Sequence, residues 1–227
     1  LHKPTRIDVA PASTTAEKVQ QHVLMVPKNR KRDLLAHVLK DEAIKRVLVF
    51  TRTKHGANRV SQYLDKLGIS SGAIHGNKSQ NARQKALDEF RSGDIRALVA
   101  TDVAARGIDV DGVTHVINFE LPNEPESYVH RIGRTARAGA TGISLSFCDH
   151  DERAFLKDIE KTIRQQVPLK EDHPYHMEGM SLNYVGLDQE DIGVVKRPGS
   201  PNRRPNAQKN SGKHKPNRRI NQPTPHG

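Results

Sequence analysis

Apolar and polar residues fall in blocks of two kinds along residues 21–163. The first kind is short and nearly continuous, as in Arg46-Val47-Leu48-Val49-Phe50. Such a run suits a parallel strand buried on both faces. Ser71 to Ile74, Arg96 to Ala100, Thr114 to Phe119 and Ile143 to Phe147 repeat the pattern, and the stretch Gln21 to Val26 predicts one more strand. The second kind has helical spacing. It places Leu34, Leu35, Val38 and Leu39 on a helix over Asp33 to Leu39, and Ala57, Val60, Tyr63, Leu64 and Leu67 on the next, with Gly68 just past its end. A third helix runs from an N-cap at Ser79 to Ser92, closed by Gly93. Glu126 to Arg137 and Asp151 to Ile163 complete the set. Strands alternating with helices imply an α/β fold with a parallel sheet and right-handed crossovers.

Composition divides the chain. The 227 residues carry a net charge of +11, yet residues 196–227 hold nine Lys or Arg and no Asp or Glu, which leaves +2 for the rest. That basic tail has six prolines, five asparagines and no aromatic residue, so it is expected to be disordered. Any nucleic acid it meets would be held by charge alone, because no aromatic stacking platform is present. The expected organisation is a linker or edge segment over 1–20, one domain over 21–167, an irregular extension over 168–195, and the tail. No apolar run approaches the roughly 20 residues of a membrane span. The lone Cys148 excludes an internal disulfide and suits a reducing compartment, so a cytoplasmic location is expected. It reads as a buried structural thiol. The start Leu1-His2-Lys3-Pro4 has neither Met nor a signal-peptide pattern, and the chain is expected to be part of something longer.

The chemistry gathers in two stretches. His130-Arg131-Ile132-Gly133-Arg134-Thr135-Ala136-Arg137 holds three arginines and a histidine. On a helix, His130, Arg134 and Arg137 share one face, which then meets water or a partner dense in negative charge. Gly133 within that helix costs roughly 1 kcal/mol against alanine, as fits close approach of another surface. Upstream lies Ala100-Thr101-Asp102-Val103-Ala104-Ala105-Arg106-Gly107-Ile108-Asp109. The strand before it delivers Thr101 and Asp102 to the carboxyl edge of the sheet, where open α/β sheets bind ligands. The hydroxyl and N–H of Thr101 suit a phosphate oxygen, Gly107 admits backbone conformations closed to other residues, and Asp109 is an acceptor for a ribose hydroxyl.

These two stretches resemble motifs V and VI of the C-terminal RecA-like domain of DEAD-box RNA helicases, over about residues 20–167, with most similarity to the bacterial RhlE-like subgroup. The leading His130 is similar to the DEAD-box form, where DEAH-type relatives carry a glutamine. Thr51-Arg52-Thr53-Lys54 is similar to motif IV, and Gln80 with Arg83 to the family's Q-x-x-R element. The resemblance implies a RecA-like sheet flanked by helices, with ATP and Mg²⁺ as cofactors. It implies that Arg134 and Arg137 act as arginine fingers and that Asp109 and Gly107 help bind the nucleotide. Thr53, Gly76, Gln80, Arg83, Thr101 and Asp102 would grip an RNA backbone. Arg106, His130 and Arg131 would face an N-terminal RecA-like domain of the same protein. A monomer is expected.

No G-x-x-x-x-G-K-[ST] loop and no D-E-A-D sequence occurs in these 227 residues. Phosphate cradle and metal site are therefore expected on the preceding domain, and this chain alone should not turn over ATP. No metal site is expected here either, since His173 and His176 are the one close histidine pair and have no further ligands at suitable spacing. A different reading is a non-enzymatic RNA-binding module acting through the tail. A half of a DNA helicase is chemically close to the first.

Overall fold

The computed structural model describes residues 18–105, 108, 110–136 and 141–176. The chain divides into units 1–185 and 186–227, and every described residue belongs to the first. The expected basic tail, Arg106, Gly107, Asp109 and Arg137 lie outside the described residues.

Six strands form one sheet: β1 (Val19–Met25), β2 (Val47–Phe50), β3 (Ser71–Ile74), β4 (Ala97–Ala100), β5 (His115–Asn118) and β6 (Gly142–Cys148). They lie in the order β1-β6-β5-β2-β4-β3, and each pairing is parallel. The helices are α1 (Lys31–Val38), α2 (Lys54–Lys66), α3 (Gln80–Ser92), the single turn α4 (Asp102–Ala105), α5 (Pro125–Ile132) and α6 (Arg153–Ile163). The architecture is the expected RecA-like α/β sandwich.

Residue alternation along the central strand makes the three layers. Val47 and Val49 join Leu34 and Leu35 of α1 and Val60 and Leu64 of α2 in one core. Leu48 and Phe50 point the other way, onto Ala86 and Phe90 of α3. Tyr128, Val129 and Ile132 of α5 pack with Leu156, Ile159 and Ile163 of α6 on that second side. A run buried on both faces is what a central parallel strand requires.

Local signals work where expected. The Ser79 hydroxyl accepts the Ala82 N–H at 3.3 Å, and Gly93 closes α3 at φ 90°. Gly68 adopts φ 76° after α2. Several boundaries shift from expectation, and one element is new. β1 starts at Val19 rather than Gln21, because its whole length pairs with β6 from Gly142 onward. The first helix starts at Lys31 rather than Asp33, and α4 was not expected.

The largest difference concerns the arginine stretch. The helix expected to reach Arg137 stops at Ile132, with Gly133 as its C-cap at φ −67° and ψ 3°. His130 and Arg134 therefore do not share a helical face, and Gly133 carries no mid-helix cost. Thr135 explains the stop. It is buried, and its hydroxyl donates to the Val113 carbonyl at 2.6 Å, drawing the chain down onto the sheet. Ala136 then takes φ 55°. Past α6, the first part of the extension docks on the sheet's open edge. Val23 donates to the Pro168 carbonyl at 2.9 Å, and Lys170 donates to the Val23 carbonyl at 2.8 Å.

Candidate functional site

The expected site residues that are described lie along the carboxyl ends of β2, β3 and β4, on the first turn of α3, and on α5 and the turn after it. Thr53 follows β2, is exposed, and its hydroxyl accepts the Gly56 N–H at 3.0 Å as the N-cap of α2. Gly76 follows β3 and is exposed, with open space where a Cβ would stand. Gln80 opens α3, and its Oε1 accepts from Arg83 at 3.4 Å. Arg83 also reaches the Ala104 carbonyl at 3.5 Å, which ties α3 to α4. Thr101 donates its N–H to the Ile74 carbonyl at 3.3 Å and joins the ends of β3 and β4. Thr53, Gly76, Gln80, Arg83 and Thr101 thus form a polar rim at the edge where open α/β sheets take ligands.

A cleft of about 190 Å³ opens beside this rim, lined by Phe50, Asp102, Ala105, Ser127, His130, Arg131 and Arg134. Arg131 sits at its base. The side chain is 1 % exposed and is bound within the domain on every side that the structure records. Its Nε and Nη2 donate to the two Asp102 carboxylate oxygens at 2.6 and 2.8 Å. Its Nη1 donates to Asn118 Oδ1 at 3.2 Å and to the Glu120 carbonyl at 2.7 Å. The guanidinium carbon stands 5.0 Å from the Phe50 ring centroid. A paired, planar arginine of this kind is a rigid fixture. Arg131 was expected to face a preceding domain. Its charge faces inward and clamps α5 to α4, since a buried guanidinium needs a carboxylate partner. Asp102 in turn gives both carboxylate oxygens to that clamp.

Arg134 and His130 remain directed at the cleft. His130 is exposed. Arg134 is partly buried; its Nε donates to the His130 carbonyl at 3.3 Å and its Nη1 to the Ile108 carbonyl at 3.0 Å. Two backbone acceptors therefore hold the guanidinium at the mouth of the cleft. Val103 is 81 % exposed on α4 beside it.

One polar group close to the rim had not been expected. Lys31, Asp149 and Glu152 are buried together, with Lys31 Nζ bonded to Glu152 and 3.1 Å from Asp149. Arg52 reaches the same Glu152 at 3.2 Å. Burial pushes the Glu152 carboxyl up from its ordinary range, opposed by Lys31. The pair Asp149 and Glu152 forms a capping box ahead of α6. Its D-x-x-E spacing was visible in the sequence, whereas nothing local marks Lys31 as buried. Cys148 lies beside this group. It is buried and its thiol is pushed up to about 12, chiefly by burial, so it stays protonated at neutral pH. Among the described residues, no cluster of three or more His, Cys, Asp or Glu is arranged to hold a metal ion. Among them, too, no helix is long and apolar enough to cross a membrane.

The sheet order and its polar carboxyl edge define a RecA-like α/β domain. The family described as helicase conserved C-terminal domain matches residues 30–139. The chain is 34% identical to the DEAD-box protein SrmB of E. coli, seen in a crystal structure bound to regulator of ribonuclease activity A, with TM-score 0.63 over 67% of this chain and 91% of that one. The chain belongs to the DEAD-box helicases, as their C-terminal RecA-like domain. It is also 42% identical over 167 residues to the DEAD-box ATP-dependent RNA helicase CshA of Bacillus subtilis, covering 74% of this chain and 34% of that protein. Dbp5 of S. cerevisiae, solved bound to RNA and ADP BeF3, matches with 30% identity and TM-score 0.64 over 68% of this chain and 42% of that one. The chain therefore spans about a third of the length of the curated relatives it matches.

Proposed function

We propose that this chain is the C-terminal half of an ATP-dependent RNA helicase, completing an ATPase site on a preceding RecA-like domain and gripping one RNA strand by its backbone. The observation that carries the reading is the cleft, where Arg134 is held at the mouth and Arg131 is locked to Asp102 beneath it. A guanidinium, an imidazole and the Ser127 hydroxyl are a donor set that fits phosphoryl oxygens. ATP with Mg²⁺, when bound by the preceding domain, supplies the phosphoryl group to be transferred to water. Arg134, with Arg137, faces the charge that develops on those oxygens. Arg131 moves no proton and touches no phosphate; it fixes the angle of α5 and so the position of His130 and Arg134. Asp109 and Gly107 serve the ribose side of the nucleotide, and Arg106 with His130 faces the preceding domain.

Thr53, Gly76, Gln80, Arg83 and Thr101 take the RNA backbone. Hydroxyls and a guanidinium that contact phosphates fix position without reading sequence, so low sequence specificity is expected; the Thr101 N–H is already given to Ile74, which leaves its hydroxyl for this role. Asp102 acts on RNA only through Arg131 and the shape of the Thr101 turn. The basic tail adds salt-sensitive attraction and keeps RNA close. The protein works as a cytoplasmic monomer in this reading.

The test is RNA-stimulated ATP hydrolysis by the complete protein with Arg134→Ala. Turnover is expected to fall on the order of 10³-fold while RNA affinity persists. Unchanged turnover in a folded variant would refute the finger role.

A further inference from the structure

Loop 51–53 connects β2 to α2 and carries Thr53, one of the residues assigned above to the RNA backbone. Beside one bond within the loop, from the Thr51 hydroxyl to the Thr53 carbonyl at 3.2 Å, its position is set by groups outside it. The Arg52 N–H donates to Glu120 Oε2 at 2.8 Å, and its side chain reaches Glu152 Oε1 at 3.2 Å and Asn123 Oδ1 at 3.2 Å. The same Glu152 Oε1 accepts the Leu121 N–H at 3.2 Å, so one carboxylate holds both the loop after β2 and the loop after β5. Glu152 is fully buried, and Lys31, which neutralises it, is 2 % exposed.

A capping box needs no buried lysine. Buried ion pairs contribute little net stability against apolar residues of similar size, because desolvation offsets their attraction. What this group adds is geometry. Lys31 opposes the burial penalty on the Glu152 carboxyl, and Glu152 draws Arg52 inward while Glu120 holds the Arg52 backbone. Thr53 is then presented outward at the start of α2.

We infer that Glu152, supported by Lys31, is a positioning residue for RNA: it sets the height of loop 51–53 and so the affinity for the RNA backbone. The inference rests on the RNA reading of Thr53 given above. It extends the site to residues on α1 and the β6–α6 turn that touch no RNA themselves.

The experiment compares wild type, Glu152→Gln and the double variant Lys31→Met/Glu152→Gln in the complete protein. Glu152→Gln leaves Lys31 paired with Asp149 at 3.1 Å, so the single variant keeps the fold; the double variant also takes the lysine from Asp149 and is read on its folded fraction. ATP hydrolysis is titrated with single-stranded oligouridylate, and amide hydrogen exchange is followed at Arg52, Thr53 and Gly56. The expected result is a roughly tenfold rise in the KM for RNA with kcat at saturation unchanged, and faster exchange confined to the loop. A role in stability alone would lower Tm and leave the folded fraction with wild-type KM and loop protection. That result would overturn the inference. Thr53→Ala separates the two ideas. If it leaves the KM for RNA unchanged, the RNA reading of the loop fails. If it raises the KM while the folded double variant does not, only the positioning role fails.

Discussion

Asp102→Asn is expected to destabilise the domain more than Arg131→Met does, although Asp102 is the more exposed partner. The side chains are 39 % and 1 % exposed respectively. Removing the carboxylate charge leaves a guanidinium in the interior without its counter-ion, facing only uncharged acceptors (the introduced amide oxygen, Asn118 Oδ1 and the Glu120 carbonyl) and the Phe50 ring among the contacts recorded for it. Breaking a buried pair in this way costs about 3–5 kcal/mol, and the partial hydration of Asp102 places the cost near the lower end. Arg131→Met keeps an apolar stem over Phe50 and lets Asp102 turn to water. It loses two hydrogen bonds to uncharged acceptors, worth about 1 kcal/mol each. The expected costs are therefore about 3 and about 2 kcal/mol. The double variant should cost about 3 rather than the additive 5, a coupling of about 2 kcal/mol. Urea unfolding of the four proteins, with m unchanged across the set, measures it directly. Additivity within about 0.5 kcal/mol would show that the clamp does not connect α4 to α5 energetically, and the reasoning about how the cleft is held would fall.

Acidification should weaken the fold through half-buried histidines. The His22, His115 and His173 imidazoles are each held below the ordinary 6.5, mainly by burial. Around them stand Lys170, Asp41, Asp172, His37 and His176. Because the unfolded chain takes up these protons first, stability is full above about pH 6.5 and declines as pH falls below it towards the lowered native values; a Tm flat between pH 7 and 5.5 would contradict this. Gly142→Ala should disturb the turn that carries Arg134, since an added Cβ would run into the Thr135 side chain and lie 2.6 Å from the Ala136 nitrogen. Overpacking against backbone costs about 1–3 kcal/mol, and a Tm equal to wild type would show that the turn yields freely.

The sequence by itself determined the layered architecture and the chemical character of the carboxyl edge. Five short apolar runs, helical spacing between them, and caps at Ser79, Gly68 and Gly93 are local properties, legible because each depends on neighbours within a few residues. The two motif stretches were legible for the same reason. Their side chains were not assigned correctly by pattern alone. His130, Arg134 and Arg137 read as one helical face meeting water or an anionic partner, yet the helix stops at Ile132, and the neighbouring Arg131 is buried. That outcome depends on Asp102, Asn118 and Val113, which lie 29, 13 and 18 positions away from Arg131 in the chain and meet α5 only because the sheet brings β4 and β5 beside it. The buried trio Lys31, Asp149 and Glu152 shows the same limit across more than a hundred residues. Local sequence sets what each segment prefers to be. Which charges are buried, and which are left for a ligand, is decided by desolvation and pairing across the assembled sheet, and only the tertiary structure holds that information.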